Sequence, residues 1–291
     1  IATFARETSN SNNTTKSKEG ITFVQFSDRL LTPDSVMRDY YRSAYAKMDG
    51  YYFPEHFMEI PFWIPKMAGK LPTERYNKGL HIVTDVEESI DILSHDGPPE
   101  TVLFSVMDAN VKHVKEIAGK VDKSMVMGGY TDPVDFAPYQ NVRYLKGLEE
   151  LPEVFDVEMD ASPDYSLFKG EKCIPRLTLS EGCQFRCTFC TVPTTLTIAG
   201  PGEVQDQVQA LEPLDFKLIF LDDKSFGQAS NWRSIEVVRD QVREYNPNFL
   251  GFIAQTTPSL ALKPGFLETA MDHGLRYLEV GVETVNDEYL R

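Results

Sequence analysis

Three of the chain's four cysteines, Cys183, Cys187 and Cys190, fall within "EGCQFRCTFCTVP", residues 181 to 193, in a C-x3-C-x2-C spacing. Thiols at this density hold a metal, cycle through a disulfide, or pack. Structural zinc takes four protein ligands. The remaining cysteine, Cys173, precedes the strand predicted at 174–180. About six strand residues at ~3.3 Å each put it roughly 20 Å from the others. The histidine nearest in sequence, His113, lies in another predicted unit. A redox pair at Cys187 and Cys190 leaves Cys183 without a role. An iron–sulfur cluster held at three corners accounts for all three thiolates. It leaves one iron open to a non-protein ligand, as open catalytic metal sites do.

The elements that must position this loop read as two successive α/β units. "IPRLTLS" (174–180) is a strand that runs into the cysteines. "GEVQDQVQALE" (202–212) is a helix, "FKLIFLDD" (216–223) a strand and "NWRSIEVVRDQVREY" (231–245) a helix. "FLGFIAQTT" (249–257) is a strand, "KPGFLETAMDHG" (263–274) a helix that Gly274 stops, and "LRYLEVGVET" (275–284) a strand. Strict alternation, four strands and three helices over 173–291, predicts the front part of a β/α barrel, with its chemistry at the carboxyl ends of the strands. Upstream, "GLHIVTD", "ETVLFSVMD", "SMVMGGY" and "VRYLKG" alternate with helical patterns. That predicts parallel strands in a Rossmann-like, flavodoxin-like domain over 78–147. Its ligand-facing strand ends are Asp85, Asp108 and the pair Gly128 and Gly129. Residues 1–20 read as a polar tail, and 21–77 as an aromatic-rich packing arm with a short helix near 34–48. Residues 148–172 are acidic, carry two prolines and suit an interdomain linker.

"CQFRCTFC" resembles the C-x3-C-x-φ-C signature of the radical S-adenosylmethionine (SAM) superfamily, with Phe189 as φ and a SAM-side residue. The resemblance implies a 4Fe-4S cluster on Cys183, Cys187 and Cys190, with SAM chelated to the open iron. An electron from the cluster then cleaves the sulfonium, and the 5′-deoxyadenosyl radical takes hydrogen from an unreactive C–H. "LIFLDDKSF" is similar to the F-x-D-D-x-x-F stretch of the cobalamin-associated branch. It places Asp222 and Asp223 where other branches carry a Gly-Gly-Glu contact to SAM. "AQTT" (254–257) resembles a strand end often written Q-T-R, which makes Gln255 a candidate and replaces the basic residue by Thr257. "VGVET" resembles G-I-E-S, with Glu283 as a SAM contact. At each of these polar strand ends the alternative role is a cap or loop hydrogen bond.

The front unit extends the likeness. "MVMGGYTDP" resembles the V-V-G-G-x-H-x-T stretch of cobalamin-binding-domain radical SAM proteins, and "SPDYSLF" their F-P-D-Y-D-L-L linker. Asp108, Gly128 and Gly129 are thereby candidates for cobalamin. The D-x-H-x-x-G motif is absent, and none of His56, His81, His95, His113 or His273 stands in such a context. Cobalamin binding and a cobalamin-less relative therefore both stay open. With cobalamin, the implied reaction is methyl transfer to an unactivated carbon. Without it, cyclisation, oxidation or rearrangement after hydrogen abstraction is implied, or a non-catalytic iron–sulfur binding protein. The methylthiotransferase branch needs three further cysteines in the front domain, which has none. A small-molecule substrate and an electron donor such as flavodoxin or ferredoxin are the implied partners.

Composition narrows the classes further. A chain of 291 residues has room for about two domains. A net charge of −15 and no dense Lys/Arg run argue against a nucleic-acid partner. No apolar run is long enough to span a membrane, and the N-terminus lacks a signal-peptide core. Clustered cysteines without a signal predict a reducing, cytoplasmic setting. G-x-S-x-G and the P-loop pattern are absent, which disfavours an α/β hydrolase and a P-loop enzyme. The start at Ile1 and the stop after an apparent strand suggest a piece of a longer protein, lacking barrel strands five and six and poorly active alone.

Overall fold

A computed structural model of the chain describes residues 18–33, 36, 39, 43, 59–95, 100–129, 131–188, 190 and 192–283. Its first sheet contains β1 (Glu19–Phe26), β2 (Tyr76–Val83), β3 (Glu100–Val106), β4 (Ser124–Gly129) and β5 (Val142–Tyr144). All pairings are parallel, in the order β2-β1-β3-β4-β5. This is the flavodoxin-like order, whose direction reverses between β1 and β3. Helices α1 (Asp28–Leu31) and α2 (Trp63–Lys70) lie between β1 and β2 in the chain. Helices α3 (Val86–Ser94) and α4 (Val111–Lys120) follow β2 and β3.

Alternation along the strands sends side chains to two cores. Val24, Phe26, Val102, Phe104, Met125 and Met127 face α3 and α4, meeting Ile90, Leu93, Val114 and Ile117. Ile21, Phe23, Leu103 and Val126 face the other way, against Ile64 and Ala68 of α2 and Leu151, Phe155, Tyr165 and Phe168. The same cluster continues into the second sheet through Leu177, Leu179, Ile219, Leu221 and Phe252. The two sheets therefore share one core, and segment 148–172, expected as a linker, is packed between them. Asp164 there pairs with Lys78 at 2.6 Å.

Strand β1 corrects the sequence reading, which placed 21–77 in a packing arm and let the sheet begin near residue 79. Glu19–Phe26 is an interior strand. Two polar positions disguise it, because each is satisfied sideways: Thr22 donates to Glu100, and Gln25 accepts from Trp63 Nε1 at 3.0 Å. Of the helix expected near 34–48, residues 36, 39 and 43 are described and are helical; its other residues and most of the polar tail fall outside the described residues.

The second sheet begins with β6 (Arg176–Leu177). A small antiparallel pair, β7 (Ser180–Glu181) and β8 (Thr197–Ile198), stands beyond its end. Then come α5 (Pro201–Ala210), β9 (Leu218–Leu221), α6 (Trp232–Tyr245), β10 (Gly251–Thr256), α7 (Pro258–Ala261), α8 (Phe266–Asp272) and β11 (Leu275–Val280). Strands β6, β9, β10 and β11 are parallel and adjacent in chain order. Helix α6 buries Ile235, Val238 and Val242 at three-and-four spacing. It joins α5 and α8 on one face of the sheet. The opposite face carries a small apolar layer of Ile174, Leu218, Phe220 and Ile253. The strand expected at 174–180 is split into β6 and β7, and the helix expected at 263–274 is preceded by a separate turn, α7.

Candidate functional site

The cysteine loop leaves the carboxyl end of β6 by way of β7 and returns through β8. Its base is defined tightly. Gly182 has φ 83°, and a Cβ there would sit 2.0 Å from Thr195 O, so only glycine fits. Cys183 N donates to Pro193 O at 2.9 Å. Gln228 grips both sides of this point: its Nε2 donates to Gly182 O, and its Oε1 accepts from Gln184 N, each at 3.0 Å. Further on, Cys190 N donates to Cys187 O at 3.1 Å.

Cys183 is half-buried, Cys187 and Cys190 are exposed, and all three thiols are free of disulfides. Among the described residues no three His, Cys, Asp or Glu side chains converge as metal ligands, so the loop carries the three thiols without bringing them together. Phe189 lies outside the described residues. The donor set still fits an iron–sulfur group, since three soft thiols sit on one accessible loop. Cys173 differs. It is 2% exposed in the main core, and burial, with Asp215 and Glu171 nearby, pushes its thiol up to about 12. That keeps it protonated and inert.

The two aspartates after β9 have separate environments. Asp223 is 2% exposed. Its Oδ1 accepts from Leu179 N (2.9 Å) and Ser180 N (3.0 Å), and its Oδ2 from Ser180 Oγ (2.7 Å). Burial pushes its pKa up, against the pull of these hydrogen bonds. Asp222 shares the opposite face with Arg176, which pairs with both Asp222 and Glu59. The guanidinium lies 4.4 Å from the Phe220 ring centre. Burial drives the Glu59 carboxyl up, Arg176 opposes it, and Glu279 and Asp222 add to the rise. Burial opposes the Arg176 charge, yet Glu59 and Asp222 hold its pKa above the ordinary value.

Gln255 follows Ile253 on β10, so the two share a face, and Gln255 is in register with Glu279 of β11. Beyond the apolar layer, towards the carboxyl ends of β9, β10 and β11, stand Asp222, Gln255 and Glu279, while Arg176, in register with Phe220, pairs with Asp222 and Glu59. The sequence reading missed Glu59, Arg176, Gln228 and Ser180. One signal was available: Arg176 is a lone charge inside an apolar strand, "IPRLTLS". Glu283 lies just past β11, exposed, with φ 60°.

In the first sheet, Gly128 and Gly129 line a cavity of about 340 Å³ with Trp63, Met67 and Lys146. Gly129 has φ 141°, and a Cβ there would fall 2.0 Å from Val106 O, so strand packing alone demands glycine. Asp108 is exposed and stands outside that lining, in a turn that Asn110 holds by accepting from Met107 N and donating to Ser105 O, each at 2.9 Å. Asp85 caps α3 by accepting from Glu88 N at 2.9 Å.

Fold and site together define an α/β protein of two parallel sheets, with a three-thiol loop at the carboxyl end of the second sheet's first strand. Its fold is similar to that of the radical SAM methyltransferase TsrM from Kitasatospora setae, solved with cobalamin and a 4Fe-4S cluster bound. The TM-score is 0.58 at 13% identity, over 94% of this chain and 60% of that one. This chain spans 60% of that protein's length. No family model matches the sequence, and no curated protein matches it. No helix among the described residues is long and apolar enough to cross a membrane.

Proposed function

We propose that this chain carries the cofactor-binding part of a radical SAM enzyme, with Cys183, Cys187 and Cys190 holding a 4Fe-4S cluster. One observation carries the reading. Three free thiols in C-x3-C-x2-C spacing occupy the loop after the first strand of a parallel, sequentially ordered sheet. The similarity in fold to a radical SAM methyltransferase supports it. When bound, the cluster would supply the one electron that cleaves SAM into methionine and a 5′-deoxyadenosyl radical. The protein's share is placement and exclusion of water. Gln255 and Glu283, with the polar face around Asp222, would meet SAM. Asp223 is spent on backbone groups and suits a supporting role. The sheet would form the front of a (βα)6 barrel that further strands complete. A small-molecule substrate, a flavodoxin or ferredoxin donor and a cytoplasmic setting belong to the same proposal.

Methyl transfer with cobalamin at Asp108, Gly128 and Gly129 is the finer form of the proposal. A cobalamin-less radical enzyme is the second reading, and two observations favour it. The cavity at these glycines, about 340 Å³, is near the lower end even for drug-sized ligands. The identity of Gly129 is accounted for by Val106 O alone.

The test is anaerobic reconstitution with iron and sulfide. The wild-type chain should gain the cluster's visible absorbance and Cys187→Ala should not. Equal absorbance in both would end the proposal. Equilibrium dialysis with cobalamin separates the two readings: retention supports methyl transfer, and none supports the cobalamin-less form.

A further inference from the structure

We infer that the segment between β9 and α6 is a clamp for the cysteine loop, with Asp223 and Gln228 as positioning residues that fix Cys183 ahead of the other two thiols. The inference rests on the cluster reading for its purpose, but its geometry stands without it. Ladder pairing of β6 with β9 ends at Leu177. From there to the first cysteine, side chains add to the β7–β8 pairing and to the bond from Cys183 N to Pro193 O in holding the backbone. Gln207 of α5 accepts from Thr178 N and donates to Thr178 O, both at 2.9 Å. Asp223 takes the next two backbone N–H groups and the Ser180 hydroxyl. Gln228 then spans Gly182 and Gln184, the residues on either side of Cys183.

The energetics favour a rigid clamp. A carboxylate 2% exposed is costly to bury unless its oxygens are satisfied, and three donors satisfy this one. Once made, such a network resists partial opening, because each lost bond leaves a buried group unpaired. Downstream the restraint changes. Among the described residues, Cys187 and Cys190 are joined by one turn bond and are exposed. The described part of the loop is thus asymmetric: a half-buried thiol at the clamped Cys183 and two exposed thiols at Cys187 and Cys190. Groups that orient metal ligands from behind are worth roughly 10–100-fold in metal affinity.

Thiol alkylation of the metal-free chain, read residue by residue by mass spectrometry, tests the clamp without any cluster. Gln228 is half-buried, so Gln228→Ala leaves the core intact, and buried Cys173 reports on folding within the same sample. Losing two hydrogen bonds should speed alkylation of Cys183 by roughly tenfold. Cys187 and Cys190 should change by less than about twofold, the range of a bond that touches neither. Gln228→Glu keeps the acceptor for Gln184 N and loses the donor to Gly182 O, so it should fall between. Asp223→Asn should act in the same direction as Gln228→Ala. If Asp223→Asn exposes Cys173, the Gln228 pair decides alone. After reconstitution, Gln228→Ala should release iron to a chelator about tenfold faster than wild type. An unchanged Cys183 rate in both Gln228 variants, with Cys173 still protected, overturns the clamp. Failure of the wild-type chain to take up iron overturns the cluster reading and leaves the alkylation result to judge the clamp.

Discussion

Arg176→Met removes the cation between Glu59 and Asp222 while keeping most of the side chain's length over Phe220. In the folded protein the guanidinium pairs with both carboxylates, and the Arg176, Glu59 and Asp222 side chains are 24%, 18% and 13% exposed. Removing one partner of a fully buried pair costs roughly 3–5 kcal/mol. Residual solvent contact, and Lys224 at 3.2 Å from Asp222, lower the expectation to about 2–3 kcal/mol. At a few degrees per kcal/mol, the unfolding midpoint should fall by about 5–10 °C. The pH dependence carries a sign. Glu59 titrates above its ordinary range because burial outweighs Arg176. A carboxyl whose folded pKa is raised contributes stability that is present below the unfolded pKa and lost as pH rises through the folded one. Deleting Arg176 raises Glu59 further, so the deficit of the variant against wild type should shrink on acidification below neutrality. Glu59→Gln in the same background should recover most of the loss at neutral pH. Thermal unfolding followed by circular dichroism, at neutral and mildly acidic pH, measures all three proteins. A variant within about 0.5 kcal/mol of wild type, the range of an ordinary surface change, or a deficit that grows on acidification would refute this reasoning.

Gly129→Ala places a Cβ 2.0 Å from Val106 O at φ 141°, so denaturant unfolding should show a loss above about 2 kcal/mol. Gly128→Ala, whose nearest neighbour would be Leu145 O at 3.4 Å, should cost under about 1 kcal/mol. Cys173→Ala removes a core thiol and should cost about 1 kcal/mol while leaving iron uptake unchanged. Cys187→Ala, at an exposed position, should change the stability of the metal-free chain by less than about 0.5 kcal/mol and abolish iron uptake.

Much of this architecture was legible because its strands are short apolar runs with clear stops. "FKLIFLDD" and "FLGFIAQTT" each give a strand within two residues of the observed limits. Strand β1 was hidden because Thr22 and Gln25 interrupt its apolar run and a polar tail precedes it. Their partners, Glu100 and Trp63, are distant in sequence, so no local pattern reveals them. The site divides in the same way. Cysteine spacing is a local property and could be read directly. The opposite environments of Asp222 and Asp223 depend on which neighbours the fold supplies: Arg176 and Glu59 to one, the turn at Ser180 to the other. Adjacent identical residues carry no such information. Gln228 was invisible for that reason too, since its role exists only once the segment after β9 lies against the cysteine loop.

The most direct measurement is electron paramagnetic resonance of the anaerobically reconstituted, reduced chain, recorded with and without SAM. A cluster anchored by Cys183, Cys187 and Cys190, with its fourth iron accessible, should give an iron-based signal that changes shape when SAM is added. A preparation that takes up zinc instead of iron, or whose signal is indifferent to SAM, would contradict the account.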